Sequence, residues 1–330
     1  MEQQNFNAQS AALKLEQVKN EIAKAFIGQK QLVDYALITL IAGGHLLVEG
    51  VPGLGKTLLV RALARAIGGY SKRVQFTPDL MPSDITGNIM LDPETGKFVT
   101  RKGPVFTNLF IADEINRAPA KTQAALFEAM QEFQVSLDGE SHPLPCPFMV
   151  LATQNPFEHE GTYPLPDAQK DRFLMKIIAD YPSKEEEKTM VTQVLAGDSG
   201  AELSIAAVNP VLDGAFIALK NCAASLRVDP LIIDYAVRLT ACTRETPAVE
   251  SGAGPRGSLA LIRCARGRAL LMGRNFVLPD DVKALAVPVL AHRLTISAES
   301  ELEGLGAKRI IETLLSKIEA PRGITENEES

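Results

Sequence analysis

The sequence predicts an α/β fold with a parallel sheet, followed by an all-α domain. Three observations carry this. The apolar run His45–Glu49 feeds a glycine-rich turn and then an amphipathic helix. Strand-like and helix-like segments alternate as far as Tyr181-Pro182, and from residue 184 onward every periodic segment reads as helix. The length of 330 residues accommodates two units.

Residues 10–40 read as helix, because apolar positions such as Leu13, Val18, Ile22 and Phe26 recur at helical spacing. Ile27-Gly28-Gln29 interrupts this run before it resumes to about Ile41. His45–Glu49 reads as a buried strand, Leu58–Ile67 as a helix stopped by Gly68-Gly69, and Val74–Phe76 as a second strand. Asn88–Leu91 and Phe98–Val105 flank the turn-rich Asp92-Pro93-Glu94-Thr95-Gly96, which predicts a hairpin. Asn108–Ala112 is a further buried strand ending in two acids. Pro119 suits a first helical position, with Ala120–Glu132 continuing as helix. Asp138-Gly139, a favoured two-residue turn, centres a second hairpin over residues 133–147. Phe148–Ala152 and Phe173–Ile178 complete the strands. Helices follow over 184–195, 211–224, 229–243, 257–272, 280–291 and 300–317. This divides the chain into a core of residues 1–181, a helical domain of 182–320 and a polar tail of 321–330.

Composition narrows the partners. The net charge is −6, and residues 1–180 hold 17 basic and 20 acidic residues (17 − 20 = −3), as do residues 181–330. No basic domain points to nucleic acid. The N-terminus lacks the basic start and apolar centre of a signal peptide. The longest near-apolar stretch, Tyr35–Val48, falls short of the roughly 18 residues a membrane helix needs. Cys146, Cys222, Cys242 and Cys264 are scattered and form no metal-ligand pattern. A cytoplasmic location is the resulting expectation.

The motif Gly50-Val51-Pro52-Gly53-Leu54-Gly55-Lys56-Thr57 fits G-x-x-x-x-G-K-[ST] at every fixed position. Its glycines let backbone N–H groups turn inward around phosphate oxygens, and the following helix adds positive potential at its N-terminus. Lys56 supplies charge to the β- and γ-phosphates, and the Thr57 hydroxyl can ligate Mg²⁺. Leu109–Ala112 delivers Asp113 and Glu114 at a strand's end. Asp113 suits a metal ligand and Glu114 a general base for water. In Thr153-Gln154-Asn155, an uncharged amide can orient water without adding negative charge. Arg172, in Asp171-Arg172-Phe173, can reach a neighbouring subunit's phosphate. Arg256 falls in the first turn of a helix, where a cation is disfavoured unless an anion faces it.

This order of motifs resembles an AAA+ ATPase, a P-loop NTPase class, and more closely the MoxR family within the clade shared with magnesium chelatase subunits and MCM helicases. The resemblance covers roughly residues 20–320. It rests on GVPGLGKT at 50–57, FIADEINRAPAKTQAALFEAMQE at 110–132, ATQNPFEHEGTYPLPDAQKDRF at 152–173 and PDDVKALAVPVLAHR at 279–293. It implies that Lys56 and Thr57 belong to Walker A, Asp113 and Glu114 to Walker B, Asn155 to sensor 1, Arg172 to the arginine finger and Arg256 to sensor 2. Nucleotide contacts are implied for residues 50–57, for Leu58, and for Ile27 and Gly28 beside adenine. The two hairpins match the family's insertions. Lys170 and Gly254 depart from the family pattern at positions without a catalytic role.

The function implied is Mg²⁺-dependent ATP hydrolysis by a ring, hexameric by family resemblance. The ring remodels, matures or inserts metal into protein clients, often with a von Willebrand factor A domain partner. In this reading the core and the lid of one chain grip the same nucleotide, with Arg256 supplied by the lid. Arg117 is a second candidate for an inter-subunit arginine. A DNA motor of the MCM type is disfavoured by the acidic charge and the acidic hairpin turns (Asp92, Glu94, Asp138, Glu140). A magnesium chelatase subunit would carry the same motifs and differ in depending on a tetrapyrrole. A nucleotide-binding scaffold that hydrolyses nothing is disfavoured by the intact set of Lys56, Asp113, Glu114 and Asn155.

Overall fold

The computed structural model describes residues 6–50, 54–155, 163–196 and 201–322. Helix α1 (Ala8–Ala23) starts at Asn7, whose side chain accepts the Ser10 N–H while Ser10 Oγ accepts the Asn7 N–H. This reciprocal cap satisfies donors that a helix start leaves open. Gly28 and Gln29, at φ 76° and 46°, turn the chain into α2 (Lys30–Ile41). Then come β1 (Leu46–Glu49), α3 (Lys56–Ala66), β2 (Ser71–Gln75), the short α4 (Pro82–Thr86), and the hairpin of β3 (Gly87–Leu91) and β4 (Phe98–Lys102). β5 (Leu109–Asp113) leads through a single 3₁₀ turn into α5 (Ala120–Glu132). The second hairpin, β6 (Gln134–Leu137) and β7 (Glu140–Pro143), turns at Asp138-Gly139, both at positive φ as the expected turn type requires. β8 (Met149–Gln154), α6 (Asp167–Lys170) and β9 (Met175–Ile178) complete the α/β portion.

β1, β2, β5, β8 and β9 form one parallel sheet in the order β2-β5-β8-β1-β9. β1, β5 and β8 are buried except at their last residues. Central strands covered on both faces have this pattern, and their carboxyl ends are where such sheets bind ligands.

The C-terminal part holds α7 (Lys184–Ala196), α8 (Ala201–Ala206), α9 (Phe216–Ser225), α10 (Pro230–Glu245), α11 (Pro255–Leu271), α12 (Pro279–Leu290), α13 (Ala298–Leu302) and α14 (Ala307–Lys317). It departs from the sequence expectation in four ways. The helix expected from 211 begins at Phe216. The run 300–317 divides, because Gly304 takes φ 76° between α13 and α14. α8 is an additional helix. The region is not entirely helical: β10 (Val249–Ser251) pairs antiparallel with β11 (Thr295–Ile296). In the core, Pro119 lies one place earlier than expected, as the cap before α5 with an extended ψ of 152°.

The sheet's two faces bury two apolar clusters. Leu47, Phe76, Phe110, Phe127 and Phe173 lie in one. Leu46 and Val48 lie in the other, which continues without a break through α1, α2 and α3 into α9, α10, α11 and α12. α11 packs directly on α1 and α2, with Gly267 close enough that an added Cβ would meet Ile38 at 3.2 Å. The change from strands to helices near residue 181 therefore does not divide the core.

Candidate nucleotide-binding site

The phosphate loop joins β1 to α3. Gly50 leaves β1 so tightly against Ala179 that an added Cβ would lie 2.6 Å from its carbonyl oxygen. Gly55 precedes α3 at φ 74°, a conformation open to glycine. Val51, Pro52 and Gly53 lie outside the described residues. Lys56 Nζ donates to the Gly50 carbonyl at 2.8 Å, holding the lysine across the loop. Burial pushes its ammonium below the ordinary value, and the Asp113, Glu114 and Glu49 carboxylates oppose that shift.

Lys56 and Thr57 line a cavity of about 250 Å³ with Gly50, Leu54, Gly55, Asp113, Glu114, Thr153, Gln154 and Asn155. The residues meet because β1, β5 and β8 are adjacent and in register, with Glu49 opposite Gln154 and Ala112 opposite Ala152. Asp113 Oδ1 accepts the Thr153 hydroxyl, and Thr153 Oγ1 in turn accepts the Glu114 N–H at 2.9 Å. Glu114 sits at φ 55°. Its Oε2 accepts Gln75 Nε2 at 2.7 Å and Arg117 Nη1 at 2.8 Å.

Leu58 lies half-buried in the first turn of α3 and packs against the apolar core. Ile27 and Gly28 do not line the cavity. They sit beside Phe26, which approaches Gly55, and Gln29 N–H donates to Glu186 at 3.0 Å.

Arg172 and Arg256 occupy a second cavity of about 350 Å³, together with Arg263 and Arg293. Asp171 accepts from Arg293 Nε at 2.8 Å and from Arg256 Nη1 at 3.4 Å, and Arg172 donates to Gln131. The expectation is that the lid arginine shares its own chain's nucleotide; in this structure Arg256 lines the second cavity. Arg256 lies with Arg172, apart from the cavity of Lys56, because the helical region packs against α1 and α2. Arg117, the second candidate for an inter-subunit arginine, donates to Glu114 of its own chain.

Two cavity residues, Arg73 and Gln75, escaped the sequence reading. Alternation along β2 puts them on one face, and Gln75 is in register with Asp113. That was the available signal. The donor set suits Mg²⁺: one hydroxyl (Thr57) and one carboxylate (Asp113) beside a phosphate-binding loop. Mg²⁺ commonly takes one or two carboxylates plus substrate phosphates. Among the described residues, no three His, Cys, Asp or Glu form a closed metal cage, and no helix is long and apolar enough to cross a membrane.

Known proteins share this arrangement. The sequence pattern of the ATPase family associated with various cellular activities (AAA) matches residues 45–175, and that of the AAA lid domain matches residues 241–314. Chaperone MoxR1 of Mycobacterium tuberculosis is 42% identical over 93% of this chain and 82% of its own length. Protein MoxR of Methylorubrum extorquens is 34% identical over 86% and 88%. The crystal structure of a Cytophaga hutchinsonii protein proposed to be an ATPase superposes with a TM-score of 0.89 at 39% identity, over 96% of this chain and 97% of that one. With the phosphate loop, the paired acids and the AAA lid in one chain, and relatives this similar along nearly its whole length, the chain belongs to the MoxR family of AAA+ ATPases.

Proposed function

We propose that this ATPase works as a cytoplasmic ring, hexameric as its family resemblance suggests, and uses Mg²⁺–ATP hydrolysis to remodel protein clients. The observation that carries the reading is the separation of Arg172 and Arg256 from the cavity that holds Lys56, Asp113, Glu114 and Asn155. Arginines that line a different cavity from the phosphate loop are placed to complete a neighbour's site in a ring.

The chemistry follows from the side chains. Loop amides and Lys56 grip the triphosphate. Thr57 and Asp113 would hold Mg²⁺, which screens phosphate charge when bound. Glu114, once free of Gln75 and Arg117, accepts a proton from the attacking water, and Asn155 orients that water. Arg172 and Arg256 stabilise charge on the neighbour's transferring phosphoryl group. Residues 1–181 act as the catalytic core, residues 182–320 as the lid, and residues 321–330 as a tail. Motion between core and lid transmits the hydrolysis cycle. The relative named a chaperone supports a protein client, reached through the two hairpins, with maturation or metal insertion as the outcome and a von Willebrand factor A domain protein as partner.

Mixing two inactive variants tests the shared site. Glu114→Gln should bind ATP and hardly hydrolyse it, and Arg172→Ala should be similarly slow. In a mixed ring, an Arg172→Ala subunit has an intact Glu114 and can borrow Arg172 from a Glu114→Gln neighbour. Phosphate release should recover on mixing. Failure to recover, with both proteins assembled, would refute the trans assignment.

A further inference from the structure

Arg73 stands in β2 in register with Ile111, on the face that Gln75 also uses. Its Nε and Nη2 both donate to Asp113 Oδ2, at 3.0 and 2.6 Å, and Nη2 also donates to Gln75 Oε1 at 3.0 Å. The other oxygen of Asp113 accepts the Thr153 hydroxyl. The carboxylate that would take the divalent cation is thus committed on both oxygens. Its neighbours are balanced too. Glu114 pairs with Arg117 and Glu49 with Lys176, so Asp113, Glu114 and Glu49 each have a cation from the same chain.

We propose that Arg73 is a built-in counter-ion that holds Asp113 until Mg²⁺–nucleotide is taken up, so that Asp113 exchanges one cation for another. The inference rests on the Mg²⁺–ATP reading of the site. An arginine suits the role. Its planar fork matches a carboxylate, and its long side chain can leave Asp113 by swinging aside. Arg73 is half-exposed, 49% against 21% for Asp113, which leaves it room to move. It lines the same cavity as Lys56, so a displaced guanidinium remains within the phosphate-binding wall, where phosphate oxygens offer a new charged partner. Asp113 thereby avoids standing as an unpaired carboxylate beside Glu114 when no metal is present, and capture of nucleotide is tied to the Mg²⁺ concentration.

The test titrates Mg²⁺ against the full-length chain with a fixed concentration of fluorescent ADP, comparing wild type, Arg73→Gln and Arg73→Lys. A second measurement follows Mn²⁺ binding to the nucleotide-free proteins by electron paramagnetic resonance. The Mg²⁺ midpoint should fall about threefold or more in Arg73→Gln, the scale of a partly exposed ion pair. Nucleotide-free Arg73→Gln should also bind Mn²⁺ more tightly than wild type, and the effect should vanish in an Asp113→Asn background. Arg73→Lys, which keeps the charge and loses the fork, should lie between, and carries the comparison if Arg73→Gln does not fold. An unchanged or raised midpoint, with wild type binding normally, would overturn the proposal. So would loss of nucleotide binding at every Mg²⁺ concentration in a folded Arg73→Gln. Absence of Mg²⁺-dependent binding in wild type would instead overturn the reading of the site itself.

Discussion

Glu114 takes a left-handed backbone conformation that few non-glycine residues adopt. The Thr153 hydroxyl holds its N–H, and Gln75 and Arg117 hold its carboxylate. If Glu114 is the base proposed above, a carboxylate held by two donors is slow to take a proton, and each donor acts as a brake. Gln75→Ala should raise basal turnover several-fold. The scale is about tenfold, since a hydrogen bond to a charged group is worth about 1.5 kcal/mol or more. Steady-state phosphate release at saturating Mg²⁺–ATP measures this, and a lower kcat would refute the brake. Lys56, Asp113 and Glu114 were legible in the sequence because loop motif and acidic strand end occur together in a fixed chemical grammar. Arg73 and Gln75 were not. The segment Ser71–Gln75 is half-exposed and polar, so it lacks the apolar run that marks a strand next to a site, and their relevance depends on a strand register that only folding creates. The neighbours of Arg256 depend on how the helical region packs, which no local motif encodes.

At the scale of elements, β1, β8 and α5 are tied together by one buried imidazole. His45 Nδ1 accepts the Val150 N–H at 3.0 Å, which leaves Nε2 to donate to the Met130 carbonyl at 3.0 Å. Only the neutral ring can do both. Burial pushes its pKa down to about 4 from 6.5, and His292 is lowered for the same first cause. The unfolded chain therefore binds more protons than the native chain across roughly pH 6.5 to 4. Stability is fully present above that window and is lost as pH falls through it. His45 alone accounts for about 3 kcal/mol of this by linkage, at about 1.4 kcal/mol per pKa unit. Urea midpoints at pH 7.5 and 5 should show the loss. His45→Gln should be less stable at pH 7.5 yet lose less between the two values. A slope equal to wild type would refute the assignment. Elements were legible where one period or turn dominated, as in β1, α3 and the Asp138-Gly139 hairpin. β10 and β11 span three and two residues, too few for any alternation to register, and the divided helix at 300–317 hid its break in a glycine that also suits a helix end.

For the molecule as a whole, the continuous apolar cluster and the separated cavities act together. Because α11 packs on α1 and α2, core and lid share one interior, and that packing puts Arg256 in the cavity of Arg172 and Asp171. In the proposed ring, one chain holds the gripping half of one site and the arginine half of another. Nucleotide affinity should then be a property of the single chain, and turnover a property of the assembly. Arg256→Ala should leave ADP affinity unchanged when the protein is dilute enough to be unassembled, because no part of Arg256 lines the cavity of Lys56. The same variant should lower turnover by roughly a hundredfold to a thousandfold in the assembled protein, the scale of removing one charge-stabilising donor from an active site. Calorimetric ADP titration at low protein concentration, set beside phosphate release at high concentration, separates the two. A loss of affinity in the dilute, unassembled variant would mean that Arg256 folds over its own nucleotide, leaving Arg172 alone to be supplied by a neighbour.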